Sequence, residues 1–297
     1  MTSDISSQPT GFSKWLAGAR PRTIPAAIAP VLVGTSLIHN DKRPVNLLNG
    51  LAALLVSLLL QIAVNFSNDY SDGIRGTDEN RVGPLRLVAS GLATAKQVKT
   101  AAYLCFVLAS ISGLFLAYRT SWWLIALGFI CIIAAWTYTG GARPYGYFGF
   151  GEISVFIFFG VIATVGSYFV QSEKITWRSF LVSIPIGALS CAILAVNNLR
   201  DLPKDALANK KTLAVRIGDK NARRMFVGLI VLAHLTALLA IFITPWSIAT
   251  IIFLPISVKI SQNVMNGAKG PTLIPVLGKV GKLQLMIAAT LAIALLI

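Results

Sequence analysis

The chain has 297 residues, 55% of them hydrophobic and only 12% charged, with a formal net charge of +15 and a mean hydropathy of +0.72. Soluble domains carry about 25% charged residues, so a water-facing globule of this size is excluded. A nucleic-acid binder gathers its basic residues on a water-exposed fold; here they fall in short loops between apolar runs, and no nucleic-acid partner is expected.

The polar N-terminal stretch has neither the apolar core nor the cleavage site of a signal peptide, and residues 1–12 are predicted to be a disordered tail. Nine apolar segments follow, at approximately 23–39, 47–66, 100–118, 121–138, 152–170, 179–197, 225–243, 246–260 and 283–297. Runs near twenty apolar residues read as membrane-spanning helices. The predicted fold class is therefore all-α, a polytopic membrane bundle of about nine transmembrane helices, forming one domain over residues 1–297. Pro25 and Pro30 predict a kink in the first span, which a bundle tolerates. Cys105, Cys131 and Cys191 lie singly in apolar runs without metal-ligand spacing, and read as packing residues. The mid-span His234 reads the same way.

The second span ends in the first chemical cluster, Asn65-Phe-Ser-Asn68-Asp69-Tyr70-Ser-Asp72. If the helix continues, Asn65, Asn68, Asp69 and Asp72 stand at i, i+3, i+4 and i+7 and share one face. Gly73 and Gly76 are expected to break that helix and let Asp78 fold back. The turn after the fourth span holds Tyr138, Arg143 and Tyr145. Its phenol rings suit either the covering of a carbocation or an interfacial aromatic belt. The sixth span ends in Asn197-Asn198-Leu-Arg200-Asp201-Leu-Pro203-Lys204-Asp205. Asn198, Asp201 and Asp205 have i, i+3, i+7 spacing, with Pro203 expected to disturb its far end. Glu152, opening the fifth span, reads as a helix N-terminal complement.

With the N-terminus inside, 21 of the 26 Lys and Arg fall in inside segments, and the outside keeps Lys42, Arg43, Arg119, Lys174 and Arg178. That is the positive-inside pattern. It predicts a multi-pass protein of the cell membrane with the N-terminus and the site cytoplasmic. Two inside loops, about 67–99 and 198–224, are longer than the rest, and long loops carry function. Four helices separate them, so both lie on one face.

Carboxylates gathered at the mouth of a membrane bundle repel one another and cost desolvation. A hard divalent cation relieves both penalties. Magnesium takes oxygen ligands, with one or two carboxylates completed by substrate phosphates. Asp69, Asp72, Asp201 and Asp205 are thus candidate ligands of Mg2+, and two facing sites would grip a diphosphate. Arg75, Arg81, Arg86, Lys204, Lys210 and Lys211 stand nearby to stabilise a leaving group. Taken singly these residues also fit helix caps and loop topology; the matched pair of clusters is the specific signal. The reading from another class is a transporter of an anion or divalent cation. Transporters place polar sites at the bilayer midplane, where this chain has no charge.

Asn68-Asp69-Tyr-Ser-Asp72, paired with Asn198-Leu-Arg-Asp201-Leu-Pro-Lys-Asp205, resembles the UbiA superfamily of intramembrane aromatic prenyltransferases over nearly the whole chain. The closer likeness is to the branch that prenylates 1,4-dihydroxy-2-naphthoate in menaquinone biosynthesis. It rests on Arg20-Pro-Arg22-Thr-Ile-Pro, Gly76-Thr-Asp78 with Arg81 to Arg86, Arg143-Pro-Tyr-Gly-Tyr147 through Glu152, and Lys211-Thr-Leu-Ala-Val215. Val88 to Gly91 is similar to actinobacterial members. Asn209 stands where the family has a glycine.

The resemblance implies transfer of a polyprenyl group from polyprenyl diphosphate to dihydroxynaphthoate, with loss of carbon dioxide, on the way to demethylmenaquinone. Mg2+ would be held by Asp69, Asp72, Asp201 and Asp205. Asn65, Asn68, Asp78, Asn198, Arg22, Arg75, Arg81, Tyr138, Arg143, Tyr145, Lys204 and Lys210 would meet the substrates, and membrane lipid would surround the prenyl tail. The Asp clusters by themselves leave open 4-hydroxybenzoate, homogentisate or haem as acceptor.

Overall fold

In the computed structural model, residues 9–76, 83 and 85–297 are described. Three of the long apolar helices are capped at the first turn by a polar side chain. Asn46 accepts from the Asn49 backbone N–H at 3.1 Å; Thr94 and Thr176 form capping boxes with Gln97 and Ser179. The elements are α1 (Gly11–Gly18), α2 (Pro25–Asn40), α3 (Leu47–Ile74), α4 (Ala95–Arg119) and α5 (Trp123–Thr137). They continue with α6 (Gly151–Ser172), α7 (Trp177–Leu207), α8 (Leu213–Leu239), α9 (Pro245–Met265) and α10 (Gly270–Leu296).

Among the described residues, seven helices are long and apolar enough to cross a membrane. The pair Gly11–Thr23 and Pro25–Asn40, bent by 57°, forms a broken span or a re-entrant segment, and α5 is a shorter apolar helix. The nine predicted apolar segments therefore each find a helix, and the protein is an integral membrane protein. Large side chains such as Leu108, Ile111, Phe129, Ile130 and Ile252 are exposed, as a lipid-facing surface requires.

The core is built around α7, whose apolar window is 78% buried. It meets α6 at a glycine pair: a Cβ on Gly160 would lie 2.5 Å from the Gly187 Cα, so only glycine permits this approach. Beside that contact α6 runs as a π-helix over Phe156–Ile162. Such bulges re-aim side chains; here Phe158, Phe159 and Ile162 face an internal cavity. At the end of the bundle away from the Asp clusters, Arg178 pairs with Asp41 at 2.7 Å and Arg43 donates to the Ser172 carbonyl at 2.9 Å. These contacts staple α2 to α6 and α7.

Three expectations change. Gly11 and Phe12 belong to α1 and not to a tail; residues 1–8 lie outside the described set. The second long loop is mostly helix, because α7 continues through Pro203 to Leu207 and α8 resumes at Leu213. Proline costs one backbone bond, which helix packing tolerates in a membrane bundle. Finally, α3 continues through Gly73 to Ile74, and the left-handed break falls at Gly76, φ 68°. Asn209, at the family's glycine position, has φ 56°; asparagine is among the few residues that adopt this conformation readily.

Candidate active site

The ends of α3 and α7 carry the two acidic clusters, and both open on one cavity of about 770 Å3. Its polar end holds Asp72, Asp201 and Asp205 with Arg20, Arg22, Arg86, Arg200, Lys204 and Lys210. Its other end is apolar, walled by Leu116, Leu124, Leu127, Phe158, Phe159 and Ile162. The shared-face expectation is met directly: Lys210, from the α7–α8 link, reaches Asp72 of α3 at 3.0 Å.

Asp72 is buried and, among the described residues, accepts from Arg86, Lys210 and Tyr147. Arg86 Nη2 approaches Oδ2 at 3.1 Å, while Lys210 Nζ and the Tyr147 hydroxyl reach Oδ1 at 3.0 and 2.5 Å. Burial draws the Lys210 ammonium pKa down, but Asp72, Tyr147 and Asp205 outweigh it and leave it raised, so this lysine stays charged. Asp201 is held by its neighbour Arg200, whose Nε and Nη2 each lie 2.7 Å from a carboxylate oxygen. A planar guanidinium gives this two-point grip, which lysine cannot.

The amide residues position the walls. Asn65 donates to the Ala19 carbonyl and the Thr23 hydroxyl, and Gln61 also reaches Thr23, so α3 secures the bent α1–α2 joint over the cavity. Asn68 accepts from Thr139 at 2.7 Å, and Asn198 donates to Glu152 at 2.9 Å. Glu152 is thus a buried partner of the site and more than a helix-end complement. Tyr138 and Tyr145 stack edge to face at 5.5 Å, with the Tyr145 hydroxyl tied to Ala134 and Ser154.

Of the residues singled out in sequence, Asn65, Asn68, Asp72, Asn198, Asp201, Asp205, Arg22, Tyr138, Tyr145, Lys204 and Lys210 line the cavity. Asp78 and Arg81 lie outside the described residues. Three depart from expectation. Asp69 faces away from the cavity and accepts from the Leu87 and Val88 backbone N–H groups at 2.7 and 3.1 Å. It stands at one edge of the roughly 100° arc that the i, i+3, i+4 and i+7 positions cover, and at that edge the helix meets the Leu87–Val88 turn, not the cavity. Arg75 is exposed at the end of α3 and donates to the Thr139 and Gly141 carbonyls, which face it across the turn. Arg143 is exposed in a separate shallow depression beside Lys211.

Arg20, Arg86, Arg200 and Tyr147 line the cavity as well. In sequence only Arg86 was a candidate for the site, as a basic neighbour; Arg20, Arg200 and Tyr147 stood there within the quoted motifs without a role of their own. Arg20 has φ 55°, a left-handed arginine that the Pro21 turn follows. Its position beside Arg22 was a signal, but the direction of its side chain depends on the joint.

An apolar bundle with opposed carboxylates and cations around one mouth defines an intramembrane enzyme acting on a phosphorylated, apolar substrate. The profile of the UbiA prenyltransferase family matches residues 27–272, and the chain belongs to that family. It is 46% identical to the 1,4-dihydroxy-2-naphthoate octaprenyltransferase of Mycobacterium tuberculosis over 96% of this chain and 97% of that one. It is 38% identical to the Escherichia coli protein of the same name, over 85% of each. In fold it is similar to a UbiA homologue from Archaeoglobus fulgidus bound to DMAPP and Mg2+, with TM-score 0.67, 16% identity and coverage of 96% and 99%.

Proposed function

We propose that this protein transfers a polyprenyl group from polyprenyl diphosphate to 1,4-dihydroxy-2-naphthoate, releasing carbon dioxide and diphosphate. The observation that carries this reading is the two-ended cavity: acids and cations at one end, an apolar chamber at the other. The identity to dihydroxynaphthoate octaprenyltransferases along the whole chain supports the choice of acceptor.

Among the described residues no three Asp, Glu, His or Cys groups converge into a closed cage for a metal. Opposed carboxylates from two helices suit magnesium, which binds by one or two carboxylates and completes its shell with phosphate oxygens. Asp72 on one side, and Asp201 and Asp205 on the other, would hold it with the diphosphate. Bound there, Mg2+ supplies charge withdrawal from the departing diphosphate.

The chain's own residues do the rest. Arg86 and Lys210, now paired with Asp72, and Arg20, Arg22 and Lys204 present positive charge to the diphosphate as its bond to the prenyl carbon weakens. The apolar chamber keeps water from the allylic cation, so the ring captures it. Tyr138 and Tyr145 offer ring faces beside that centre. Attack falls at the ring carbon bearing the carboxylate. Departure of carbon dioxide returns the electron pair to the ring, so aromaticity is restored without a base removing a ring proton.

The test is purified protein with a prenyl diphosphate and a panel of acceptors. Dihydroxynaphthoate should show kcat/KM at least about tenfold above 4-hydroxybenzoate and homogentisate, the worth of one well-placed polar contact, with one carbon dioxide released per product. Equal turnover of 4-hydroxybenzoate would overturn the acceptor assignment.

We place the site on the cytoplasmic face of the cell membrane, on the strength of the basic bias of its loops. Single cysteines at the exposed Ala89 and Ala206, with the native three cysteines replaced, should both label from the cytoplasmic side only. Labelling from opposite sides would reject that orientation.

A further inference from the structure

We propose that Asp69 is a positioning residue: it locks the Leu87–Val88 turn against α3 and thereby aims Arg86 at the diphosphate. The inference rests on the diphosphate site proposed above. The Asp69 carboxylate is fully buried, lies off the cavity wall, and spends both oxygens on consecutive backbone N–H groups. Such charge-assisted bonds are short and directional. Arg86, the residue immediately before that turn, enters the cavity and meets Asp72 at 3.1 Å. Asp69 and Asp72 thus grip one segment at two points, the first by its backbone and the second by its side chain.

The turn is shaped for this seat. Leu87 has no exposed surface, and a Cβ on Gly18 would come within 2.7 Å of its side chain. Val88 rests on Gly73, one helical turn beyond Asp69, where an added Cβ would lie 2.5 Å from Val88 Cγ1. Lys14 of α1 closes the far side through the Leu92 carbonyl at 2.8 Å. A guanidinium on a free loop would lose rotamer and backbone entropy at each encounter with substrate. A seated turn has met that cost in folding.

The test is a double-mutant cycle on full-length protein, reading kcat/KM for prenyl diphosphate. Asparagine keeps the size of Asp69 but sets an amide N–H2 against one of the two donors. Asp69→Asn should lower kcat/KM at least about tenfold in the wild-type background and less than about threefold in an Arg86→Gln background, the non-additivity of residues acting as one unit. The magnesium concentration for half-maximal rate should stay within about twofold of wild type, and hydrogen exchange in the peptide over residues 85–91 should quicken. Gly73→Ala, which leaves Asp69 intact and displaces Val88, should reproduce the same Arg86-dependent loss. Equal losses in both backgrounds, or a large rise in the magnesium requirement, would overturn the proposal, the latter by making Asp69 a metal ligand. Unchanged exchange at 85–91 would also overturn it, and that reading needs no turnover. A wild-type protein that prenylates none of the acceptors would instead count against the functional reading alone.

Discussion

Asp72→Ala and Asp201→Ala are each expected to lower kcat/KM for prenyl transfer by at least about 1,000-fold, the upper end of the loss on removing one preorganised electrostatic group. Either change removes a carboxylate from one side of the mouth. Each also takes a partner from buried cations: Arg86 and Lys210 lose a contact at Asp72, and Arg200 loses the carboxylate it holds at two points. An unpaired buried charge destabilises by about 3–5 kcal/mol, so lost activity must be separated from lost folding. Asp72→Asn and Asp201→Asn keep the shape and should remain folded by thermal unfolding in detergent while still losing most activity. Product would be quantified with magnesium, prenyl diphosphate and dihydroxynaphthoate supplied. Rates within about tenfold of wild type, in protein that unfolds at the wild-type temperature, would remove these carboxylates from the reaction.

Chelation with EDTA is expected to bring the rate below about 1% of its starting value, as loss of a catalytic cation worth several kcal/mol requires. Added Mg2+ should restore it, and Ca2+ should restore less, because its longer and less regular ligand shell fits a two-carboxylate, phosphate-completed site poorly. The same treatment should move the unfolding midpoint by less than about 2 °C, roughly 1 kcal/mol for a chain of this size. The reason lies in the pairing: Asp72 and Asp201 already have Arg86, Lys210 and Arg200 as partners, so the bundle does not need a cation to hold its acids apart. Turnover that persists in EDTA with residual metal well below the protein concentration would count against magnesium.

Arg20 shows where reading along the chain reaches its limit. Beside Pro21 and Arg22 it reads as loop charge, yet it lines the cavity because α1 and α2 meet at 57° and because Asn65 and Gln61, more than forty and thirty-five residues away, fix the joint. Tyr147 reads as one aromatic in a glycine-rich turn, and becomes a donor to Asp72 only when the α5–α6 turn folds under α3. Arg75 moves the other way: near the acids in sequence, it is spent on carbonyls of the facing turn.

What could be read from residue order is what obeys a local period or a count. Apolar runs near twenty residues set the spans, the even number of helices between the clusters put them on one face, and the basic loops carry the orientation proposed above. Those rules need only the chain and the bilayer. The acid clusters I, at the end of α3, and II, at the end of α7, were visible on the same terms. Which of their members face the substrate was decided by tertiary structure. A helix turns about 100° per residue, so adjacent Asn68 and Asp69 look in different directions, and the neighbour each one meets comes from a distant segment. For Asp69 that neighbour is the Leu87–Val88 turn, and for Asp72 it is the cavity, with Arg86, Tyr147 and Lys210.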